Sequence, residues 1–256
     1  MKIAVAVKVL PNDEDIFVAP DCSLDYSKAH ETISVYDLNA IEAAAQLAET
    51  YDGSVVVVSA SEAGADDLKV KKSILSRGVD EMFMVADDAM KNLEARPTAQ
   101  VLAHLLKDKV ADYDLVICGD GSADLYAGQV DVQLASILGI PVINGVTSIH
   151  PSDSKVIVER TFDDEIEELE IPLPAVVSVS PDIALPRIAG MREILAAGKK
   201  PADITSLDAS GATVESTVAN ISVMAPTMAE RKQQIFHADN AKELDAFATA
   251  VADALR

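Results

Sequence analysis

A chain of 256 residues, 49% of them hydrophobic, has enough apolar material to bury a full core as one large domain or as one domain with an appendage. Its formal net charge of -21 argues against nucleic acid or an anionic membrane surface as a direct partner, since both need a basic footprint, and its apolar stretches are too short to enter a bilayer as a span. The two cysteines, Cys22 and Cys118, lack paired spacing and so outline neither a disulfide framework nor a zinc or iron-sulfur site.

Short β-rich runs alternate with longer helical patterns. Strands are expected over residues 2–9, 54–59, 81–85, 114–118 and 175–179, several of them continuous apolar runs of the kind carried by parallel strands covered on both faces. The first of these follows directly on Met1 with no small-residue cleavage site, so the expected location is cytoplasmic. Residues 37–51 read as an amphipathic helix, with Leu38, Ile41, Ala45 and Ala48 on one stripe behind a Ser34-x-x-Asp37 capping pattern. The β-α-β-α order predicts an α/β fold, a three-layer α/β/α sandwich around a mainly parallel sheet. Alternation over residues 155–173 predicts an antiparallel hairpin on the sheet edge, whose acidic run Asp163-Asp164-Glu165 reads as a solvated or partner-facing edge rather than a metal site. After Lys199-Lys200-Pro201 the periodicity fades, and the chain closes with a helix over about 241–255 carrying Leu244, Phe247, Val251 and Leu255 on one side. Residues 1–200 are therefore expected to form the α/β domain, and 201–256 an arm packed on something else.

The most informative segment is Asp114-Leu-Val-Ile-Cys118-Gly119-Asp120-Gly121-Ser122-Ala123-Asp124-Leu125-Tyr126-Ala127-Gly128-Gln129-Val130. A strand breaks at Gly119 into a loop with three glycines, then opens a helix whose apolar stripe includes Val132, Leu134 and Leu138. Free N–H groups of Gln129 and Val130, backed by the helix dipole, suit a phosphate, while Asp120, Ser122 and Asp124 offer acceptors to a ribose or base edge. From spacing alone, a tight βα turn with no ligand is an equal reading. The segment lacks both the third glycine of the dinucleotide fingerprint and the Walker lysine, so neither a dehydrogenase nor a P-loop ATPase is supported. The four histidines show no ligand spacing, no catalytic constellation is present, and no metal site is expected. Lys8, ending the first strand, either meets an anion or snorkels.

The chain resembles the beta (small) subunit of electron transfer flavoproteins, and most closely the Fix-type branch. The likeness rests on Ala4-Val-Ala-Val-Lys8, Tyr36-Asp-Leu-Asn-Ala-Ile-Glu-Ala-Ala44, Ser76-Arg-Gly-Val-Asp80, the glycine loop, Val158-Glu-Arg160, Leu173-Pro-Ala-Val-Val177, and Pro186-Arg-Ile-Ala-Gly-Met191 running to Lys199-Lys200. That resemblance implies a sandwich of the adenine nucleotide alpha hydrolase type and an obligate heterodimer with an alpha subunit holding FAD. It implies AMP, or a second FAD in electron-bifurcating members, in the present subunit. Electrons would pass from a flavin dehydrogenase such as an acyl-CoA dehydrogenase, or from NADH, to a quinone oxidoreductase or ferredoxin. By position it places Ala6, Ala60, Ser34, Val35, Tyr36, Asp37 and the loop from Gly119 to Val130 around the nucleotide, with Tyr36 beside the alpha-subunit flavin. Arg187, Met191, Ile194 and Leu195 fall in the family's partner-docking segment. Two departures stand out. Ser34-Val35 replaces the usual Asn-Pro, and Val130-Asp131 stands where AMP-binding members tend to have Thr-Gly, while Gln129-Val130 is similar to the bifurcating branch. A stand-alone nucleotide-binding regulator of the stress-protein type is the alternative reading, and the C-terminal arm separates the two.

Overall fold

The computed structural model describes residues 1–227 and 233–255. In chain order its elements are β1 (Lys2–Val7), β2 (Val9–Pro11), β3 (Phe17–Val18), β4 (Leu24–Asp25), β5 (Glu31–Ile33), α1 (Val35–Tyr51), β6 (Ser54–Ser61), α2 (Leu68–Leu75), β7 (Glu81–Ala86), α3 (Ala95–Lys109), β8 (Leu115–Gly119), α4 (Val130–Leu138), β9 (Val142–Ser152), β10 (Lys155–Thr161), β11 (Ile166–Pro172), β12 (Ala175–Val179), α5 (Met191–Ala197), β13 (Ala202–Thr205), α6 (Leu207–Ser210) and α7 (Ala241–Ala254).

Among the described residues nine strands form one sheet in the order β11-β10-β9-β12-β8-β1-β6-β7-β13, parallel from β9 through β12 to β13 and antiparallel across β9, β10 and β11. Strand β1 lies near the centre, with Ile3 opposite Val55 on one side and Leu115 on the other. Alternation along a strand sends successive side chains to opposite faces. Ile3, Val5 and Val7 accordingly enter one core with Ile41 and Ala44 of α1 and Ile74 of α2, while Ala4 and Ala6 enter a second with Leu102, Leu105 and Leu106 of α3 and Leu134 of α4. The apolar runs are continuous because both faces are covered, which makes the fold the expected α/β sandwich with a mainly parallel sheet.

The structure extends the sequence reading at both sheet edges. The predicted hairpin is the outer part of a three-strand meander, because β9 pairs with β10 as well as with β12. Gly145, in the left-handed region at φ 65°, and Pro151 interrupt β9 and hide its pattern in the sequence. At the outer edge, β11 presents alternating glutamates, and Lys155 holds Glu170 at 2.5 Å while Arg160 pairs with Glu167. Charge of this kind blunts an open edge. Strand β1 stops at Val7 rather than running on through Val9, because the chain turns at Lys8 into a separate two-strand pairing of β2 with β5.

At the opposite edge β13 pairs with β7, so the sheet continues past residue 200 before the arm begins. His104 of α3 meets the carbonyl of Ser210 at 2.7 Å and Gln100 accepts the Glu215 N–H at 2.8 Å, which lays the first part of the arm along α3. Further on, the Ala225 N–H donates to the Cys22 carbonyl. Residues 228–232 and 256 of the expected arm lie outside the described residues. The final helix α7 contains no buried residue, and Leu244, Phe247 and Val251 stand exposed along it.

Candidate functional site

The chain leaves β1 through α1 to β6 and β7, then returns through α3 to β8 on the other side of β1. Neighbouring strands that depart in opposite directions open a crevice outside their carboxyl ends, and ligands of open parallel sheets gather there. In this chain the crevice lies at Lys8 and Gly119.

Asp37, in the first turn of α1, ties the two strand ends together. One carboxylate oxygen accepts the Lys8 N–H at 2.7 Å and the other the Gly119 N–H at 3.3 Å. Burial raises its pKa to about 7, against the opposing pull of those two N–H groups and of the Lys8 ammonium. The expected capping role of Ser34 and Asp37 is not what the structure shows: Ser34 makes no side-chain cap bond, and its hydroxyl instead accepts the Ala123 N–H at 3.3 Å. The Ser34 hydroxyl and one Asp37 oxygen are spent on the glycine loop rather than on α1, where they satisfy the N–H groups of Ala123 and Gly119.

Gly119 is required by close approach. A Cβ there would stand 2.7 Å from Asp37 Oδ1 and 2.9 Å from the Tyr36 backbone carbon. At Gly121 a Cβ would fall within 2.2 Å of the Tyr126 ring, which folds back over the loop, 5.0 Å from the Tyr36 ring. The Tyr126 hydroxyl donates to Asp120 Oδ2 at 3.1 Å, and Tyr126 itself holds a left-handed backbone at φ 45°. Lys8 reaches across the crevice to both oxygens of Asp124, at 2.8 and 2.6 Å. It therefore meets an anion from its own chain, a pairing of residues 116 positions apart that no local pattern announces.

The helix after the loop begins where the sequence placed it, with Val130 first and Gln129 before it, and no side chain caps it. Its apolar stripe is narrower than expected: Leu134 is fully buried, but Val132 is exposed. Asp131 turns inward and accepts the Ser178 hydroxyl at 2.6 Å. Ser178, on β12, was invisible to the sequence reading because its only signal is a hydroxyl inside an apolar run. Ala6 and Ala60 are buried at the ends of β1 and β6 on the α3 side of the sheet, whereas Val35, Ala123, Leu125, Ala127, Gly128 and Gln129 are exposed.

The remaining predicted residues lie on a different surface. Asn39 donates to the carbonyls of Pro181 and Ala184, and Arg187 clamps Glu42 and Glu49 at 2.6 Å each, so the segment before α5 is strapped along α1. Arg187 thus faces α1. Met191 and Leu195 are 73% and 67% exposed, and Ile194 is half-buried.

An adenine nucleotide can be tested against these groups. Asp120 Oδ1 is buried with no hydrogen-bond partner, and burial raises the Asp120 pKa, so the loop holds an acceptor that a ribose hydroxyl or an adenine amino group would satisfy. Gly128 has only the Asp120 carbonyl near it, 3.5 Å from where a Cβ would stand, and the Tyr36 and Tyr126 rings, tilted 44° to each other, offer aromatic surface beside the loop. Base and ribose therefore fit. Among the described residues no cluster of three metal-ligating side chains occurs and no helix is long and apolar enough to cross a membrane. The family model for the electron transfer flavoprotein domain matches residues 22–210, well over half of the chain, and takes in the glycine loop, Asp37 and the strap on α1. The nine-stranded sandwich with its glycine-rich crevice between β1 and β8 is thus the framework of a known redox family, and the chain belongs to the electron transfer flavoproteins.

Proposed function

We propose that the chain is the beta subunit, of the Fix-type branch, of a heterodimeric electron transfer flavoprotein. It binds an adenine nucleotide, AMP or a second FAD, in the crevice bounded by Ser34, Tyr36, Asp37 and the loop from Gly119 to Val130. Electrons pass from a flavin dehydrogenase or NADH to a quinone oxidoreductase or ferredoxin, with the alpha subunit holding the FAD that both subunits shape. The observation that carries this reading is the unpartnered, buried Asp120 Oδ1 in a loop at the switch point of the family's sheet. A bound flavin supplies the redox chemistry; this chain's residues bind and orient, with Asp37 fixing the crevice floor, Asp120 taking a donor from the ligand, and Tyr36 and Tyr126 walling one side.

The bare apolar stripe of α7 supports a heterodimer over a stand-alone regulator, which has no use for one. Removing residues 241–256 is expected to abolish co-purification with the alpha subunit while the sandwich melts within a few degrees of the full chain, because no residue of α7 is fully buried and its ring contact, Phe247 on Phe236, lies outside the sandwich cores. Undiminished co-purification would sink the role of the helix.

Acid release of nucleotide from the co-expressed heterodimer, followed by chromatography, tests the site itself. One adenine nucleotide per dimer beyond the FAD of the alpha subunit is the expected result. FAD alone, at one per dimer, would remove the loop as a nucleotide site.

A further inference from the structure

We infer that Tyr126 is a gate on the nucleotide crevice: its ring lies on the glycine backbone that a base or ribose must reach, and it turns aside before a ligand enters. This rests on the nucleotide reading of the loop and adds to it the residue that controls entry. The ring covers the approach closely. A Cβ at Gly121 would fall 2.2 Å from one Tyr126 ring carbon and 2.4 Å from another, so only glycine lets the ring lie where it does. The residue before it, Asp120, keeps Oδ1 buried and unpartnered while Oδ2 accepts the Tyr126 hydroxyl at 3.1 Å. One carboxylate therefore carries both the hook that holds the ring down and the acceptor that a ligand would satisfy.

The ring is held lightly. Tyr126 is 54% exposed, and its backbone at φ 45° is left-handed, a conformation that costs a bulky side chain free energy and that gathers at ligand clamps and switch regions. The segment that must move is also well bounded. On one side the Ala123 N–H is bonded to Ser34 and Asp124 to Lys8, and on the other α4 begins at Val130. Between these anchors residues 125–129 are all exposed, and Gly128, at φ 58°, supplies a second left-handed position. Residues 125–129 can therefore change their backbone angles while β8 and α4 stay in place. Opening breaks one hydrogen bond and relieves the strain at Tyr126; the hydroxyl passes to water, and the Asp120 oxygens pass to the ligand. Because the hook exists only while the ring is down, removing it raises the fraction of open molecules and hence the rate of entry, and leaves the bound state as it is. A tyrosine that only walled the ligand would do the reverse, since its contacts would slow release.

Tyr126→Phe, which keeps the ring and removes the hydroxyl, separates the two. AMP and FAD are passed in turn over the immobilised full-length protein, and association and dissociation are followed by surface plasmon resonance. For each probe that binds the wild type, Tyr126→Phe is expected to raise the association rate constant roughly tenfold, the worth of one hydrogen bond to a carboxylate, and to leave the dissociation rate constant within about twofold. An association rate constant within about twofold of the wild type, or a lower one, overturns the gate and leaves the nucleotide site standing, as does an effect carried by dissociation alone. Failure of both probes to bind either protein, each of them melting cooperatively, overturns the nucleotide reading and the gate together.

Discussion

Replacing Asp37 with alanine is expected to destabilise the protein by roughly 2–5 kcal/mol, a fall in melting temperature on the order of 10 °C for a domain of this size. The substitution strands two N–H donors, those of Lys8 and Gly119, at the ends of adjacent central strands, and each unpaired buried donor costs about 1–3 kcal/mol. Asp37→Asn adds a signature in pH. The folded pKa of Asp37, about 7, stands above its ordinary value of 3.8, so between those two values the folded state keeps a proton that the unfolded chain has released. Its contribution is thus fully present below about pH 4, declines as pH rises through 7, and is level above that. Wild-type stability measured against Asp37→Asn, which does not titrate, should therefore shrink by up to a few kcal/mol from pH 4 to pH 7, read by denaturant unfolding at each pH. A difference that widens with pH would show that the two N–H bonds outweigh burial and keep the carboxylate charged.

Gly119→Ala is expected to cost about 2–4 kcal/mol and to abolish nucleotide retention. The new methyl group would lie inside contact distance of Asp37 Oδ1 and of the Tyr36 backbone, and backbone atoms at the start of α1 have no easy way to give. Relief requires α1 and β8 to separate, which breaks the Asp37–Gly119 bond and lets the loop leave the crevice. Because the two substitutions break the same contact, the pair Asp37→Ala and Gly119→Ala should be less destabilising than the sum of the singles, by on the order of 1–2 kcal/mol in a double-mutant cycle. Additivity would mean that the methyl group is absorbed elsewhere. At Gly139, where nothing lies within 4 Å, alanine meets no such clash and carries only the strain of the left-handed backbone at φ 71°, so it separates steric from conformational cost.

The proposed nucleotide crevice lies where the chain reverses its direction of strand addition, and the strap on α1 lies apart from it. The strap is held by Asn39, Glu42 and Glu49 of α1, all of them C-terminal to Asp37, which meets the glycine loop. Substitutions at Met191 or Leu195, which are exposed, leave the crevice contacts untouched.

The sequence by itself determined the central strands, the helix after the glycine loop, the acidic hairpin and the family. Each is written in residues that are neighbours along the chain: apolar runs such as residues 115–118, glycines at 119 and 121, alternation through 166–171. It missed β9, whose pattern is broken by Gly145 and Pro151, and β13, which is four residues long and gains its identity only by pairing with β7. The chemistry of the crevice was decided by tertiary structure alone. Asp37 reaches Lys8 and Gly119 across 29 and 82 positions, Asp131 reaches Ser178 across 47, and Lys8 reaches Asp124 across 116. A carboxylate's role follows from which donor it meets and from how much water the fold removes around it, and neither quantity exists until the strands between them have been assembled.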